Sequence, residues 1–153
     1  MGEGYAEVYL LQYIRTLYTS GNQGHKISIG NARGKGAGHV VDYTIRQAVQ
    51  GGFNAVAALL DTDTDWTHAV QQRAAKKKVT LLASDPCLEA WLLDIVGKAK
   101  YGSSADQKRL FKDHFADDAC CQGLIEKRIS RAEFDAARGK IDVLDRLLKF
   151  IGA

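Results

Sequence analysis

Three aspartates stand close together after an apolar segment of the chain. The run Ala55 to Leu60 is followed by Asp61, Asp63 and Asp65, which places three carboxylates within five residues. On an extended backbone Asp61 and Asp63 point the same way, and two carboxylates at that spacing can both reach one hard divalent cation such as Mg²⁺. The triplet is equally compatible with a solvated turn in which an aspartate caps the next helix. The sequence leaves both interpretations open.

Two more carboxylates lie at the start of the chain. Glu3 stands between Gly2 and Gly4 immediately before a helical segment, and Glu7 follows one helical turn later. A carboxylate between glycines is closely approachable, which suits a ligand or an acid/base group. The structural alternative is a frayed acidic N-terminus that suits the helix dipole.

A further acidic residue follows the apolar run 79–83. In the segment from Ser84 to Glu89, Asp85 has the position of a helix N-cap and Pro86 that of the first helical residue, so a helix is predicted to begin there. Capping does not account for Glu89, which lies one turn into that helix. It is either a surface charge or a partner of the aspartates.

The loop 30–38 is rich in glycine and contains Arg33 and Lys35, with His39 directly after it. It does not match the Walker pattern, because three residues instead of four separate its first glycine from the Gly-Lys pair, and Gly36 replaces the hydroxyl residue. Free backbone amides and basic side chains at a helix N-terminus could still hold a phosphate. A flexible turn explains the loop equally well.

Apolar periodicity predicts the elements that position these residues. Predicted helices cover 5–20, about 39–50, about 66–77 and 86–96, and predicted strands cover 25–30, 55–60 and 79–83. Strict alternation of strand and helix predicts an α/β fold with a parallel sheet. Functional residues lie at the carboxyl ends of strands in such sheets, so we expect the candidate residues to meet at one edge.

After Gly97 the chain has helical periodicity only. Residues 101–105 read as a link, helical segments follow at 110–115, 124–129 and 144–151, and Ser130 with Glu133 has capping-box spacing. We therefore predict an α/β domain over 1–97 and a helical C-terminal extension over 98–153.

Composition favours a soluble globular protein. The 46% hydrophobic and 25% charged residues are unlike those of a disordered or fibrous chain. No apolar stretch is long enough for a membrane span, no signal peptide is recognisable, and three cysteines make no disulfide framework. We expect a cytoplasmic protein without membrane association. The net charge of +3 arises entirely beyond Gly97, which permits nucleic-acid binding without demonstrating it.

These features together resemble the Toprim domain of topoisomerases, primases and nucleases. The shared features are a glutamate in Glu-Gly context before a helix, an apolar strand ending in Asp-x-Asp, and a parallel α/β frame. The segment Ala83 to Leu93 closely resembles the Ser-Asn-Pro-Cys-Phe-Glu-x-Trp-Leu-Leu segment of RloB-like proteins, which are bacterial anti-phage nucleases related to the OLD family. Gly2-Glu-Gly-x-x-Glu7 is similar to their opening motif. The resemblance covers residues 2–97, with Asp85 in place of asparagine and Leu88 in place of an aromatic residue.

The resemblance implies a nuclease that hydrolyses phosphodiester bonds of RNA, including tRNA, or of DNA, plausible in anti-phage defence. Glu3, Asp61 and Asp63 would be catalytic residues and ligands of Mg²⁺ or Mn²⁺, and Glu7 and Glu89 would complete a second metal site. The candidates for phosphate or substrate binding are Arg33, Lys35, His39 and Ser84.

A non-catalytic function is the alternative. The chain has no strongly basic face and no clear catalytic lysine near these carboxylates, which would suit a Toprim-like module that binds a nucleotide or nucleic acid. Such a module could also act as a homodimer or with a partner protein.

In the family, the first glutamate follows a buried central strand. A strand takes about five residues, whereas Met1 and Gly2 alone precede Glu3 here. We therefore expect the first strand to be missing from this chain, or another chain to fill its place. Added upstream residues should raise stability.

Overall fold

The computed structural model describes residues 1–19, 26–98 and 101–153. Its elements are, in chain order, α1 (Tyr5–Thr19), α2 (Gly36–Gly51), β1 (Val56–Asp61), α3 (His68–Lys76), β2 (Val79–Ser84), α4 (Leu88–Ile95), α5 (Ser104–Phe115), α6 (Leu124–Arg128), α7 (Arg131–Ala137) and α8 (Asp142–Phe150). The α/β class predicted from the sequence is confirmed.

The two strands pair in parallel and end at the same edge of the sheet. Their register runs from Val56 opposite Val79 to Asp61 opposite Ser84. The N-terminus extends the pairing sideways, because Gly2 forms parallel bridges both with Leu59 in β1 and with Asn31. The first three residues therefore lie in the plane of the sheet beside β1.

The strand predicted over 25–30 is wrong for the residues that the structure describes. Residues 26–30 have no strand assignment, and His25 lies outside the described residues. Pairing begins only where Gly2 donates to the carbonyl of Gly30 and accepts from the N–H of Ala32, both at 2.9 Å. A strand needs a hydrogen-bonding neighbour along its length, and Gly2 provides one only at the carboxyl end of this segment.

Apolar side chains cover both faces of the sheet, as expected of parallel strands. Leu59 and Leu82 face a large cluster formed with α1 and with α4 to α8. Ala58 and Leu60 face a smaller cluster formed with α2 and α3. This alternation along β1 follows the two-residue period of a strand and produces three layers, helix on sheet on helix.

The helices beyond Gly97 contribute to the same core as α1 and α4. Phe111, Phe134 and Leu144 are each at most 1% exposed and belong to the large cluster. The capping box predicted at Ser130 and Glu133 is confirmed at the start of α7. The C-terminal helices thus pack on one face of the sheet.

The predicted start of the helix after β2 is wrong. Helix α4 begins at Leu88 with Cys87 as its N-cap residue, so Asp85 and Pro86 precede it, joined by a cis peptide bond. The side chain of Asp85 accepts a hydrogen bond from Thr62 and does not cap the helix. Capping propensity predicted a helix start close to the observed one. The side chain of Asp85 binds Thr62 at the end of β1 instead, so it does not cap α4.

Among the described residues, no helix has the length and apolar character that a membrane crossing requires.

We predict that Phe111→Ala lowers the free energy of unfolding by about 3–5 kcal/mol, because it leaves a cavity in the large cluster. Phe111 is 1% exposed and its ring centroid lies 4.4 Å from that of Phe115. Urea denaturation should show one transition. Tyr101→Ala, at a side chain 62% exposed, is the control and should cost about 0.5 kcal/mol or less. Separate melting of the C-terminal helices would contradict a shared core.

Candidate functional site

The ends of β1 and β2 are tied together by the residue that follows β1. The N–H of Thr62 donates to the carbonyl of Ser84 at 3.0 Å, and its hydroxyl donates to Asp85 at 2.7 Å. Asp61 is therefore held at the sheet edge beside the start of α4.

Glu3 reaches this edge through the backbone of the N-terminal segment. Its N–H donates to the carbonyl of Leu59 at 3.0 Å, and its own carbonyl accepts from Gly34 at 2.8 Å. Its side-chain Oε2 accepts from the N–H of Asp61 at 2.9 Å. One carboxylate oxygen of Glu3 is thus fixed on β1.

Asp61 provides the carboxylate at the N-terminus of α4. Its Oδ1 accepts from the N–H of Leu88, the first residue of that helix, at 2.9 Å. A carboxylate at this position satisfies a free backbone donor and lies at the positive end of the helix dipole. The sequence could not show this capping contact, because the two residues are far apart in the chain.

Glu7 is buried on the first turn of α1, with its Oε2 accepting from the N–H of Gly4 at 2.7 Å. Gly2 is required for this approach, because a Cβ there would lie 2.9 Å from the Cβ of Glu7 and 3.0 Å from the N atom of Val8. The glycines around Glu3 therefore allow helix α1 to begin directly against the sheet edge.

The structure brings all five predicted carboxylates into one electrostatic cluster. Burial, followed in order by the negative charges of Glu7, Glu3, Glu89 and Asp63, raises the pKa of Asp61 to about 8. Burial also raises the pKa of Glu7, where backbone hydrogen bonds oppose the shift and the charges of Glu3 and Glu89 add to it. We call these five residues the carboxylate cluster.

The sequence did not identify Lys108, which lies on α5 and faces this cluster. Partial burial lowers the pKa of Lys108. The carboxylates of Glu89, Asp61 and Asp63 together raise it by more, so that the net pKa lies above its usual value. Helix α5 reaches the site because it packs on α4, which carries Glu89. Lys108 lies more than 40 positions from Asp61 in the chain, so no local sequence pattern indicates that the two residues are close.

The carboxylate cluster fits a hard divalent cation in its chemistry. Oxygen ligands are those that Mg²⁺ prefers, and one oxygen each of Glu3, Glu7 and Asp61 is held by a backbone N–H, which leaves the other oxygen for a ligand. No group of three or more His, Cys, Asp or Glu side chains within 1–19, 26–98 and 101–153 has a metal-holding arrangement. Binding would therefore require the free carboxylate oxygens to turn toward one another.

The glycine-rich loop lies next to Glu3, but its helix amides are already occupied. Asp65 accepts from the N–H of Gly38 at 3.0 Å, and the carbonyl of Thr64 accepts from Ala37 at 3.2 Å. Asp65 is thus separated from the other two aspartates and binds the start of α2. The N–H groups of Ala37 and Gly38 are therefore not available to a phosphate, since acceptors within the protein already bind them.

The four residues predicted to bind phosphate or substrate differ in their exposure to solvent. The side chains of Arg33 and Lys35 are exposed, and both residues have positive φ, 64° and 76°. His39 is half-buried, with its Nε2 lying 3.0 Å from the carbonyl oxygen of Ala32. Ser84 is fully buried. Arg33 and Lys35 are therefore the accessible members of this set.

Cys87 is buried, and burial raises the pKa of its thiol to about 11. A thiol with so high a pKa is protonated at neutral pH and is a poor nucleophile. Cys87 therefore has a packing role at the start of α4.

We predict that stability falls as the pH rises from about 4 to 8 in the absence of divalent cations. In this window the folded state keeps a proton on Asp61 that the unfolded chain has lost, so the slope approaches about 1.4 kcal/mol per pH unit. Asp61→Asn retains the acceptor for Leu88 and removes the charge, and it should flatten the profile. Urea denaturation in EDTA at pH 5, 6 and 7 measures this. Identical profiles in both proteins would contradict the assignment.

Comparison with known proteins identified no relative: no family model, no curated protein and no solved structure matches this chain.

Proposed function

We propose that this protein is a Mg²⁺- or Mn²⁺-dependent nuclease of Toprim type that hydrolyses phosphodiester bonds in RNA, including tRNA, or in DNA. The observation that carries the proposal is the carboxylate cluster. Its side chains come from the N-terminus, the end of β1 and the start of α4, and their negative charges raise the pKa values of Glu7 and Asp61. The resemblance to RloB-like proteins supports anti-phage defence as the biological role.

Electrostatics favours a cation at this position. Five carboxylates that interact at a partly buried sheet edge repel one another, and the cost increases as water is excluded. Among the described residues, Lys108 is a cation whose pKa is raised by three of these carboxylates. A single ammonium cannot balance the cluster when all five carboxylates are ionised, whereas one or two divalent ions could.

The side chains divide into those that are fixed and those that are free to adapt. Glu3 and Asp61 are each anchored through one oxygen by a backbone N–H, which gives a rigid base for ligands. Asp63 is exposed on the turn after β1, and Glu89 is half-buried on α4. A bound Mg²⁺ would supply Lewis-acid polarisation of a phosphoryl oxygen and a lower pKa for water.

Basic residues border the cluster on two sides and would bind the substrate. Lys108 approaches from α5, while Arg33 and Lys35 lie on the loop whose Gly34 donates to the carbonyl of Glu3. Their charges would orient the scissile phosphate and offset negative charge that develops on it. The left-handed φ of Arg33 and Lys35 is uncommon outside glycine, and such strain is often retained at functional sites.

A non-catalytic nucleic-acid-binding or partner-binding module is the second candidate. It is favoured by the lack, within the described residues, of three side chains already arranged around a metal position. Metal titration separates the two functions, because the nuclease requires the carboxylate cluster to bind the ion.

We predict that millimolar Mg²⁺ or Mn²⁺ raises the melting temperature and supports cleavage of labelled RNA or DNA. A ligand at 100 times its Kd stabilises the folded state by about 2.7 kcal/mol. The double variant Asp61→Asn with Asp63→Asn should lose the metal response and reduce cleavage by more than about 100-fold, since even residues around metal ligands contribute 10- to 100-fold.

Asp142→Asn, at a side chain 83% exposed on α8, is the control for a change of carboxylate to amide and should behave like the parent. Cleavage that persists in the double variant after contaminating nuclease is excluded would refute the proposal. The absence of both a metal response and cleavage of any nucleic acid would favour the binding module.

We also predict a specific role for Lys108. Lys108→Met should lower kcat by about 100- to 1000-fold, as expected when one group that stabilises developing charge is removed. The control is Lys112→Met on the same helix, where the ammonium pairs instead with Asp118 at 3.2 Å. Equal activity of the two variants would show that Lys108 does not act on the substrate.

A further inference from the structure

Basic and aromatic side chains form a row along one side of α2, starting at the end of the glycine-rich loop. Residues three or four positions apart share a side of a helix. This spacing relates Lys35, directly before the helix, to His39, Tyr43 and Arg46 within it. We call these four residues the α2 row. It has a cation at each end and two rings between them, and it spans about 16 Å at about 1.5 Å per residue.

The planar groups of the α2 row lie against one another. The ring centroids of His39 and Tyr43 are 6.2 Å apart, with 32° between the ring planes. The guanidinium carbon of Arg46 lies over the Tyr43 ring, 5.7 Å from its centroid. His39 is held in turn by the contact of its Nε2 with the carbonyl oxygen of Ala32 at 3.0 Å. Attraction between the cation and the ring therefore positions the guanidinium of Arg46 on a supported aromatic side chain.

The side of α2 that carries the row is open to solvent and positively charged. Both cations of the row are exposed, and both rings are half-buried. Val40 and Val41 are buried on the other side of the helix, in the smaller cluster. Asp42 is the only acidic residue of α2, and its carboxylate pairs with Arg73 of α3 at 2.7 Å. The charges of the α2 row are therefore available to an anion from outside the protein.

One end of the α2 row adjoins the carboxylate cluster. The N–H of Gly34 donates to the carbonyl of Glu3 at 2.8 Å, and Lys35 follows Gly34 directly. From there α2 leads back toward the start of β1 at Val56, so the row extends away from the sheet edge that carries the cluster. A strand of nucleic acid with its scissile phosphate at the cluster could pass over the loop and continue along α2.

We propose that the α2 row binds an unpaired segment of the nucleic acid on one side of the scissile phosphate, an inference that rests on the proposed function. Lys35 binds a phosphate next to the cluster, and Arg46 stacks its guanidinium plane on an unpaired base. Stacking of bases on aromatic rings and on arginine is a common mode of single-strand recognition. A duplex cannot make this contact, because its bases are already stacked and paired. The substrate class is therefore single-stranded nucleic acid, or the unpaired region of a folded one.

The test measures binding by fluorescence anisotropy at low salt in EDTA, where metal-dependent cleavage cannot occur. The probes are a labelled single strand of about 12 nucleotides, made as RNA and as DNA, the duplex of each, and an abasic DNA strand of the same length. We expect the parent protein to bind at least one single strand about 10-fold more tightly than its duplex. Arg46→Ala should weaken that single-strand binding by about 10-fold. Its effect on the abasic strand should be smaller, because that strand has phosphates and no bases.

Further variants separate the charge of the row from its stacking. Arg46→Lys retains the charge without the plane, so it should keep the affinity for the abasic strand and lose the preference for the single strand. Tyr43→Ala should behave in the same way, whereas Tyr43→Phe retains the ring and should match the parent. The matched control is Arg131→Ala on α7, where the guanidinium carbon lies 4.7 Å from the ring centroid of Tyr18. This control should also bind like the parent.

Equal affinity of the parent for single strand and duplex, absence of binding to every probe, or equal effects of Arg46→Ala and Arg131→Ala would overturn the proposal. A separate cleavage assay with Mg²⁺ tests the nuclease function by itself. Cleavage by the parent without any dependence of single-strand binding on Arg46 refutes only the role of the α2 row. A single-strand preference that depends on Arg46, without cleavage, refutes the nuclease and supports the α2 row as a binding surface.

Discussion

The carboxylate cluster can exist in this fold because backbone donors hold its members at one sheet edge. The N–H groups of Asp61, Leu88 and Gly4 each bind one carboxylate oxygen, from Glu3, Asp61 and Glu7 in turn. Hydrogen bonds of this charge-assisted kind are stronger than neutral ones and oppose part of the mutual repulsion. The arrangement therefore depends on three elements meeting at one point: the N-terminal segment, the end of β1 and the start of α4.

The N-terminal segment lies between this site and a cavity of about 740 Å³ that Met1 lines. Met1 to Glu3 pairs with Leu59 on one side and with residues 30–34 on the other, so the same short piece of backbone positions Glu3 and forms the top of the cavity. The sheet has two strands along most of its length among the described residues.

Local patterns predicted the order of the elements and several of their ends. Apolar periodicity identified α1, β1 and β2 close to their observed bounds, and Ser130 with Glu133 marked the start of α7. These features depend on residues near one another in the chain, where propensity and capping act directly. The strand-tip position of Asp61 followed from the same reasoning, because an apolar run of strand length ends there.

By itself, the sequence determined the α/β class and the set of carboxylates worth considering, since both follow from residue type and local spacing. The tertiary structure alone decided that Asp61, and not Asp85, accepts a hydrogen bond from the first N–H of α4, and that Asp65 binds the start of α2. It also placed Lys108 within electrostatic reach of the carboxylate cluster. It also decided that residues 26–29 line a cavity instead of forming a strand. Each of these outcomes depends on which distant backbone donor or charge a side chain meets, and long-range packing sets those distances.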